Sequence, residues 1–459
     1  MMFFARRNSS LIALILVSHT CLFAQVLTME RAIEATFSNY PTLAAQRSAL
    51  EAIRANAQVV RDNRLPNVRL HDQIDVGTAN GHSGSYFSLG LIVPTSGGRR
   101  TENRMDLASG NIALASMDWE VYNFGRFKAE DQLARTDIAV GESALEREKF
   151  GLRQLVITTY LDLLRLHQLL KIEQGNMARV DTVRRITVNL VRNGIKPGLD
   201  SSLVSVQFSK AKLGYWQVLE DYRQAANQLA TLTGRPVEQM QIDTTFHSAS
   251  AGLSPLYSEP TNDHPLLKYR DYLAKYRSAE IDVIRKAALP RVSLLTATWA
   301  RGSSINVENN YGPLGNGLLY SRTNVLIGAA MTVNLTDFRR SSHRIQLQQF
   351  RVKEATNQLA AEQLQLKNAL NASEAMLYVL QLELKELPLS LQSATAAYNQ
   401  RLSRYHNGLE NILGLTDALQ LLTSVEKDVV ITQSRALRVQ LQKALATNNF
   451  EAFFALFRR

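Results

Sequence analysis

From Asn67 to Val76 the chain alternates: Val68, Leu70, Ile74 and Val76 fall on one parity, with Asp72 the exception, while Arg69, His71, Gln73 and Asp75 fall on the other. A period of two predicts a half-buried strand. Val325, Ile327, Ala329, Met331, Val333 and Leu335 repeat the pattern within Asn324 to Leu335. Two segments that alternate less cleanly, Asn111 to Val121 and Arg291 to Ala300, are the predicted partners. Gly-, Ser- and Asn-rich stretches, 77–109 and 301–322, separate the members of each pair, which therefore reads as a hairpin with a long loop.

Elsewhere the pattern is helical. The helix before each hairpin opens at a proline, Pro41 or Pro265, and stops at a Leu-Pro pair, Leu65-Pro66 or Leu289-Pro290. Proline lacks an amide proton and drives the preceding residue out of the α region, so the helix cannot continue. After each hairpin come 68 residues of helical pattern, Arg126 to Asn193 and Arg340 to Asn407, the first without proline and the second with Pro388 alone. At the usual rise each would be roughly 100 Å long, a length that suits a coiled-coil-like tube or bundle. Gly175 and Pro388 precede their Asn-Gly pairs by similar distances and suggest a local kink in each tract. Each tract turns at its Asn-Gly and returns as another helix, near 200–233 and 414–447.

The same order written twice is an internal repeat. Tyr40 to Leu70 aligned without gaps on His264 to Leu294 has nine of 31 positions identical, the prolines among them. VYNFGR (Val121 to Arg126) then answers LTDFRR (Leu335 to Arg340), and VRNGI (Val191 to Ile195) answers YHNGL (Tyr405 to Leu409). The chain divides into a signal peptide at 1–24, a first repeat at 25–235, a linker at 236–262, and a second repeat with a C-terminal tail at 263–459.

Composition changes this picture at the N-terminus. Arg6 and Arg7, the apolar run Leu11 to Val17 and the small Ala24 have the order of a secretory signal, and the run is too short to span a bilayer. The only cysteine, Cys21, lies inside it, so the mature chain is expected to have no disulfide, thiolate metal site or cysteine nucleophile. A lipoprotein cut before Cys21 is disfavoured by His19 and Thr20. The formal charge of +11, or +9 once Arg6 and Arg7 are gone, is dispersed in a way that fits solvated helix faces better than nucleic acid. No nucleotide loop, catalytic serine motif or metal-binding histidine pair occurs, and no catalytic residue, metal or cofactor is expected.

Four strands cannot close a barrel, and an open sheet in a membrane leaves backbone donors unpaired. A cyclic oligomer whose strands make one barrel and whose helices continue as a tube meets every constraint together. In order and spacing, from Leu27 to the last long helix, these motifs resemble the TolC-like outer membrane efflux proteins. The resemblance implies a mainly α fold with a small β part. Long antiparallel α-helical hairpins form an α-barrel, and four strands per chain contribute to a 12-stranded transmembrane β-barrel in a homotrimer. It implies an outer membrane exit duct with its helical tunnel in the periplasm, in contact with outer membrane lipid. A periplasmic adaptor and an inner-membrane pump would recruit it for efflux or type I secretion.

Residue by residue, the resemblance assigns adaptor docking to Gly194-Ile195 and Gly408-Leu409 at the hairpin tips. It assigns the periplasmic gate to Asp200, Tyr405 and Asp417. Glu410 stands where the family has an arginine and Gly414 where it has a second ring aspartate. Glu410 beside Asp200 would repel, so a different latch is expected, with Lys196 or Arg192 facing Glu410. Trp119, Tyr122 and Trp299, near strand ends, are candidates for an aromatic girdle at the membrane interface. The competing reading is a periplasmic helical-hairpin adaptor or structural protein without a membrane barrel; against it, an adaptor would not duplicate its hairpin.

Overall fold

A computed structural model describes residues 27–81, 101–237, 242–243 and 263–457. The signal segment with Cys21 lies outside them, as does most of 236–262. The helices are α1 (Met29–Asn39), α2 (Pro41–Asp62), α3 (Arg126–Arg192), α4 (Gly198–Thr233), α5 (Pro265–Ala287), α6 (Leu335–His406), α7 (Ile412–Thr447) and α8 (Glu451–Phe454). The strands are β1 (Asn67–Thr78), β2 (Leu107–Tyr122), β3 (Arg291–Ser303) and β4 (Arg322–Thr332). Both strands that follow a Leu-Pro pair begin at the residue after the proline. Pro265 occupies the first turn of α5, where His264 accepts from the Leu266 amide through Nδ1 at 3.2 Å. α3 and α6 run unbroken for 67 and 72 residues, through Gly175 and Pro388 respectively.

By its contacts the chain forms two compact units, each drawing on both halves of the sequence. One comprises Met1–Pro41, Lys149–Pro260 and Leu366–Arg459, the other Thr42–Glu148 and Thr261–Gln365. In the first, Tyr160 is buried and its hydroxyl donates to the Leu27 carbonyl at 2.9 Å while accepting from the Asp243 amide at 3.1 Å. That hydroxyl secures the parallel bridge between Leu27 and Ile242. Burial pushes the Tyr160 phenol well above its ordinary pKa.

The second unit holds the sheet, antiparallel throughout in the order β1-β2-β3-β4. The pairings Leu70 with Ala115, Ala115 with Thr298, and Thr298 with Val325 set the register. One face therefore carries Val68, Leu70, Ile74 and Val76 of β1 and Val325, Ile327 and Met331 of β4, with smaller or apolar side chains between them. Leu70 is 84% exposed and Ile327 76% exposed. The opposite face carries Arg69, His71, Gln73 and Asp75, a polar ladder in which Gln73 Nε2 donates to Asp75 Oδ1 at 2.8 Å. No described strand pairs with the outer edge of β1 or of β4. At the loop end a 3-10 turn (Leu314–Leu318) folds back on β2, where Asn111 Nδ2 donates to the Leu318 carbonyl at 3.3 Å. The close approach requires glycine at 302, because a Cβ there would meet the Leu319 carbonyl oxygen.

Candidate functional site at the helical hairpin tips

Each long helix ends in the same left-handed cap. Gly194 has φ +72° and Gly408 φ +75°. After them the Ile195 amide reaches back to the Leu190 carbonyl at 2.9 Å, and the Leu409 amide to that of Arg404 at 2.9 Å. These six-to-one bonds satisfy carbonyls that a helix end leaves open, and only glycine takes the required φ without steric cost. Ile195 and Leu409 lie just beyond, both mostly exposed. Pro197 precedes α4, and Asn411 starts α7 by accepting from the Gly414 amide at 2.8 Å.

Behind the tips α3, α4, α6 and α7 share one apolar core that includes Val183, Val204, Leu415 and Leu419. Tyr405 sits in it fully buried, its hydroxyl 2.9 Å from Thr187 Oγ1. Burial pushes the Tyr405 phenol upward against the effect of that hydrogen bond, and the Asp200 carboxylate adds to the rise. The tyrosine thus bonds to Thr187 of α3, while Asp200, in the first turn of α4, acts on it only through its charge. Asp417 is exposed on α7, outside the core.

Lys196 crosses from the first tip to the second. Its Nζ donates to the Glu410 carbonyl at 2.9 Å and the Gly408 carbonyl at 3.4 Å, and it lies 5.4 Å from the Tyr405 ring centroid. It meets the backbone of Glu410 and not its carboxylate. The carboxylate belongs to its own hairpin, 2.8 Å from Arg401 Nη1 and 3.6 Å from Arg404 Nε. Arg192 makes no ion pair among the described residues. A Cβ at position 414 would sit 2.8 Å from both Arg401 Nη1 and Glu410 Oε1. Glu410 and Gly414, the two departures from the family pattern, are therefore one arrangement: the ion pair occupies the space an aspartate would need.

Farther from the tips α3 and α7 are joined by polar pairs. Arg179 grips Glu426 through two bonds, at 3.0 and 2.6 Å, Thr423 donates to Asn176 Oδ1 at 3.1 Å, and Lys427 pairs with the buried Glu173. Beside them a half-open groove of about 340 Å3 has a floor of Val180, Val183 and Leu419. Thr187, Arg401 and these pairs went unrecognised in the sequence. Their signal is complementary polar residues three or four apart on helices some 247 positions distant, legible only once the pairing is known.

Of the aromatic candidates, Trp119 donates from Nε1 to the Arg64 carbonyl at 2.9 Å, and Tyr122 packs edge-on against Phe124. Trp119 pairs with Leu294 and Tyr122 with Val292, which puts both on the apolar face. Trp299 pairs with Leu114 and lies on the polar face, so it cannot share a belt with the other two. No group of three or more potential metal ligands occurs among the described residues, and none of their helices is long and apolar enough to cross a membrane.

The family model described as outer membrane efflux protein matches residues 32–235. No curated protein sequence matches the chain. Among solved structures, the outer membrane protein VceC of Vibrio cholerae is similar at 16% identity over 91% of this chain and 95% of its own, with a TM-score of 0.72. The CmeC outer membrane channel of Campylobacter jejuni is similar at 12% identity over 92% of this chain and 85% of its own, TM-score 0.73. The open state of the MtrE outer membrane channel of Neisseria gonorrhoeae is similar at 18% identity over 92% and 89%, TM-score 0.66. At such identities the likeness is one of fold.

Proposed function

Residues 32–235 match the family model of outer membrane efflux proteins, and from that match we propose that the chain is the outer membrane exit duct of a tripartite efflux or type I secretion system, working as a homotrimer. The sheet carries this reading. Among the described residues no strand pairs with the outer edge of β1 or of β4, and in hydrocarbon every unsatisfied backbone group costs several kcal/mol. Pairing β4 of one copy with β1 of the next removes both edges, and three copies give a ring of twelve strands.

The exposed apolar face supports the same reading. Seven large side chains, Val68, Leu70, Ile74, Val76, Val325, Ile327 and Met331, would together gain about 10–20 kcal/mol per chain on leaving water, an upper bound. Strands of 11 to 16 residues are long enough to cross a bilayer. The face of Arg69, His71, Gln73 and Asp75 then lines an aqueous lumen. A periplasmic adaptor or structural protein would have no use for the apolar face.

In this reading the hairpin tips form the periplasmic entrance. Gly194-Ile195 and Gly408-Leu409 offer an adaptor a tight turn with an apolar residue at its apex. Tyr405 with Thr187, and Lys196 with the Glu410 carbonyl, hold the two tips together, and Asp417 is free to line the opening. Trp119 and Tyr122 anchor the interface at the helix end of the sheet. An inner-membrane pump supplies the cargo, and the chain itself performs no catalysis. The purified protein should be a detergent-dependent trimer that conducts in planar bilayers. A folded, monodisperse monomer that stays soluble without detergent would refute the reading.

A further inference from the structure

Three passages between helix and strand meet around a polar cavity of about 300 Å3: the end of α5 running into β3, the turn from β2 into α3, and the turn from β4 into α6. Asn123 lines it and is only 6% exposed. Its Oδ1 accepts from the Phe127 amide at 3.4 Å, which fixes the orientation of the side-chain amide, and its Nδ2 has no hydrogen-bond partner. A buried donor left empty is unfavourable, because water no longer solvates it and nothing replaces that bond. Phe124 holds the adjoining turn at φ +52°, an uncommon conformation for a bulky residue.

The charge around this donor favours an anion. α3 and α6 both begin here, just after Asn123 and Asn334, so two helix N-termini converge on one space. Lys286 and Arg291 line it and make no ion pair among the described residues. Arg126 is already engaged, 2.8 Å from Glu120 and 3.4 Å from Glu130. Two acids are present as well. Asp337 lies in the first turn of α6, 3.6 Å from Arg340, and Glu120 gives one oxygen to Arg126 while Oε1 has no partner. The last turn of α5 brings the negative end of a helix, which Lys286 itself offsets.

We propose that this cavity binds a phosphate group that still carries a proton, as inorganic phosphate or a phosphomonoester. Its anionic oxygens accept from Asn123 Nδ2, Lys286 and Arg291, and its P–OH donates to Glu120 Oε1. Sulfate, which has no proton to give near neutral pH, would set an oxygen against that carboxylate and is rejected. Glu120, Arg291 and Thr332 share the polar face of the sheet, so the ligand arrives from water and not from the lipid side. Bound, it ties three helix-to-strand passages to one another.

Calorimetric titration of the purified, detergent-solubilised protein with inorganic phosphate, and with sulfate at equal ionic strength, tests the assignment. Phosphate should bind at least ten-fold tighter than sulfate. Asn123→Asp keeps the helix cap but replaces the empty donor with an acceptor, and should weaken phosphate at least ten-fold. Glu120→Gln should let sulfate bind as well as phosphate. If Asn123→Asp does not fold, the pair Lys286→Gln with Arg291→Gln carries the same expectation. Vesicles with phosphodiester headgroups should not compete with phosphate, and competition would overturn the aqueous, protonated ligand. Equal binding of phosphate and sulfate to wild type, or phosphate binding unchanged in the variants, would overturn the site itself.

Discussion

Lys196 is the contact by which one hairpin tip holds the other, and its geometry makes an unusual demand on mutagenesis. The ammonium donates to the carbonyls of Glu410 and Gly408, which no side-chain substitution at those positions removes. A charged hydrogen bond is worth about 1.5–3 kcal/mol; with a half-buried donor and one long bond of the two, roughly 1.5 kcal/mol is expected for the clasp, about ten-fold in the ratio of closed to open entrance. Lys196→Met should therefore raise the open probability of single channels in planar bilayers about ten-fold, and Lys196→Arg much less. The charge swap Lys196→Glu with Glu410→Lys should not restore closure, because the new lysine would stand beside Arg401 and Arg404. Restoration of wild-type gating by the swap would refute the backbone clasp and establish a carboxylate pair.

Gly414→Ala should change thermal stability by less than about 0.5 kcal/mol, since better helix propensity offsets crowding of a partly exposed ion pair. It should nonetheless displace Arg401, so that Glu410→Gln becomes neutral in that background in a double-mutant cycle. Ile327→Arg, on the apolar face of β4, should cost about 2–4 kcal/mol in the membrane and reduce the yield of folded oligomer. Asn324→Arg, on the polar face, should be tolerated; equal losses would reverse the assignment of the faces. The His167 imidazole is held below its ordinary pKa, first by burial and then by Lys171. The unfolded chain therefore takes up the proton first, and stability should fall as pH drops through about 6.5 and level off below the folded value. His167→Gln should flatten that dependence in pH-resolved melting curves.

Much of the fold was legible because a few residues allow no choice. Pro66 and Pro290 force helix ends, alternation marks the strands, and Gly194 and Gly408 mark the tips. Where pattern failed, the reason was usually a partner that composition cannot display. Trp119 and Trp299 both lie in strands that alternate weakly, and only the pairing of Leu114 with Trp299 reveals that they face opposite ways. Lys196 was expected to seek a carboxylate because charges are what a sequence shows, but the nearer acceptors were carbonyls. The echo of VYNFGR in LTDFRR also conceals a difference. The first copy is a strand end and a left-handed turn, with Gly125 at φ +91°, whereas the second is already helix. Arg339 stands where Gly125 does, and it disfavours that turn. The phosphate-type cavity owes Asn123, Phe124 and Gly125 to this one asymmetry between the repeats.

The two bare edges of the sheet also govern how the protein can come into being. Under the proposed pairing of β4 in one copy with β1 in the next, the last step of folding depends on how many newly made copies share the same patch of membrane. Scarce expression would then leave sticky, protease-sensitive edges exposed for longer, while a dominant-negative copy crippled in β1 or β4 would spoil every ring it entered.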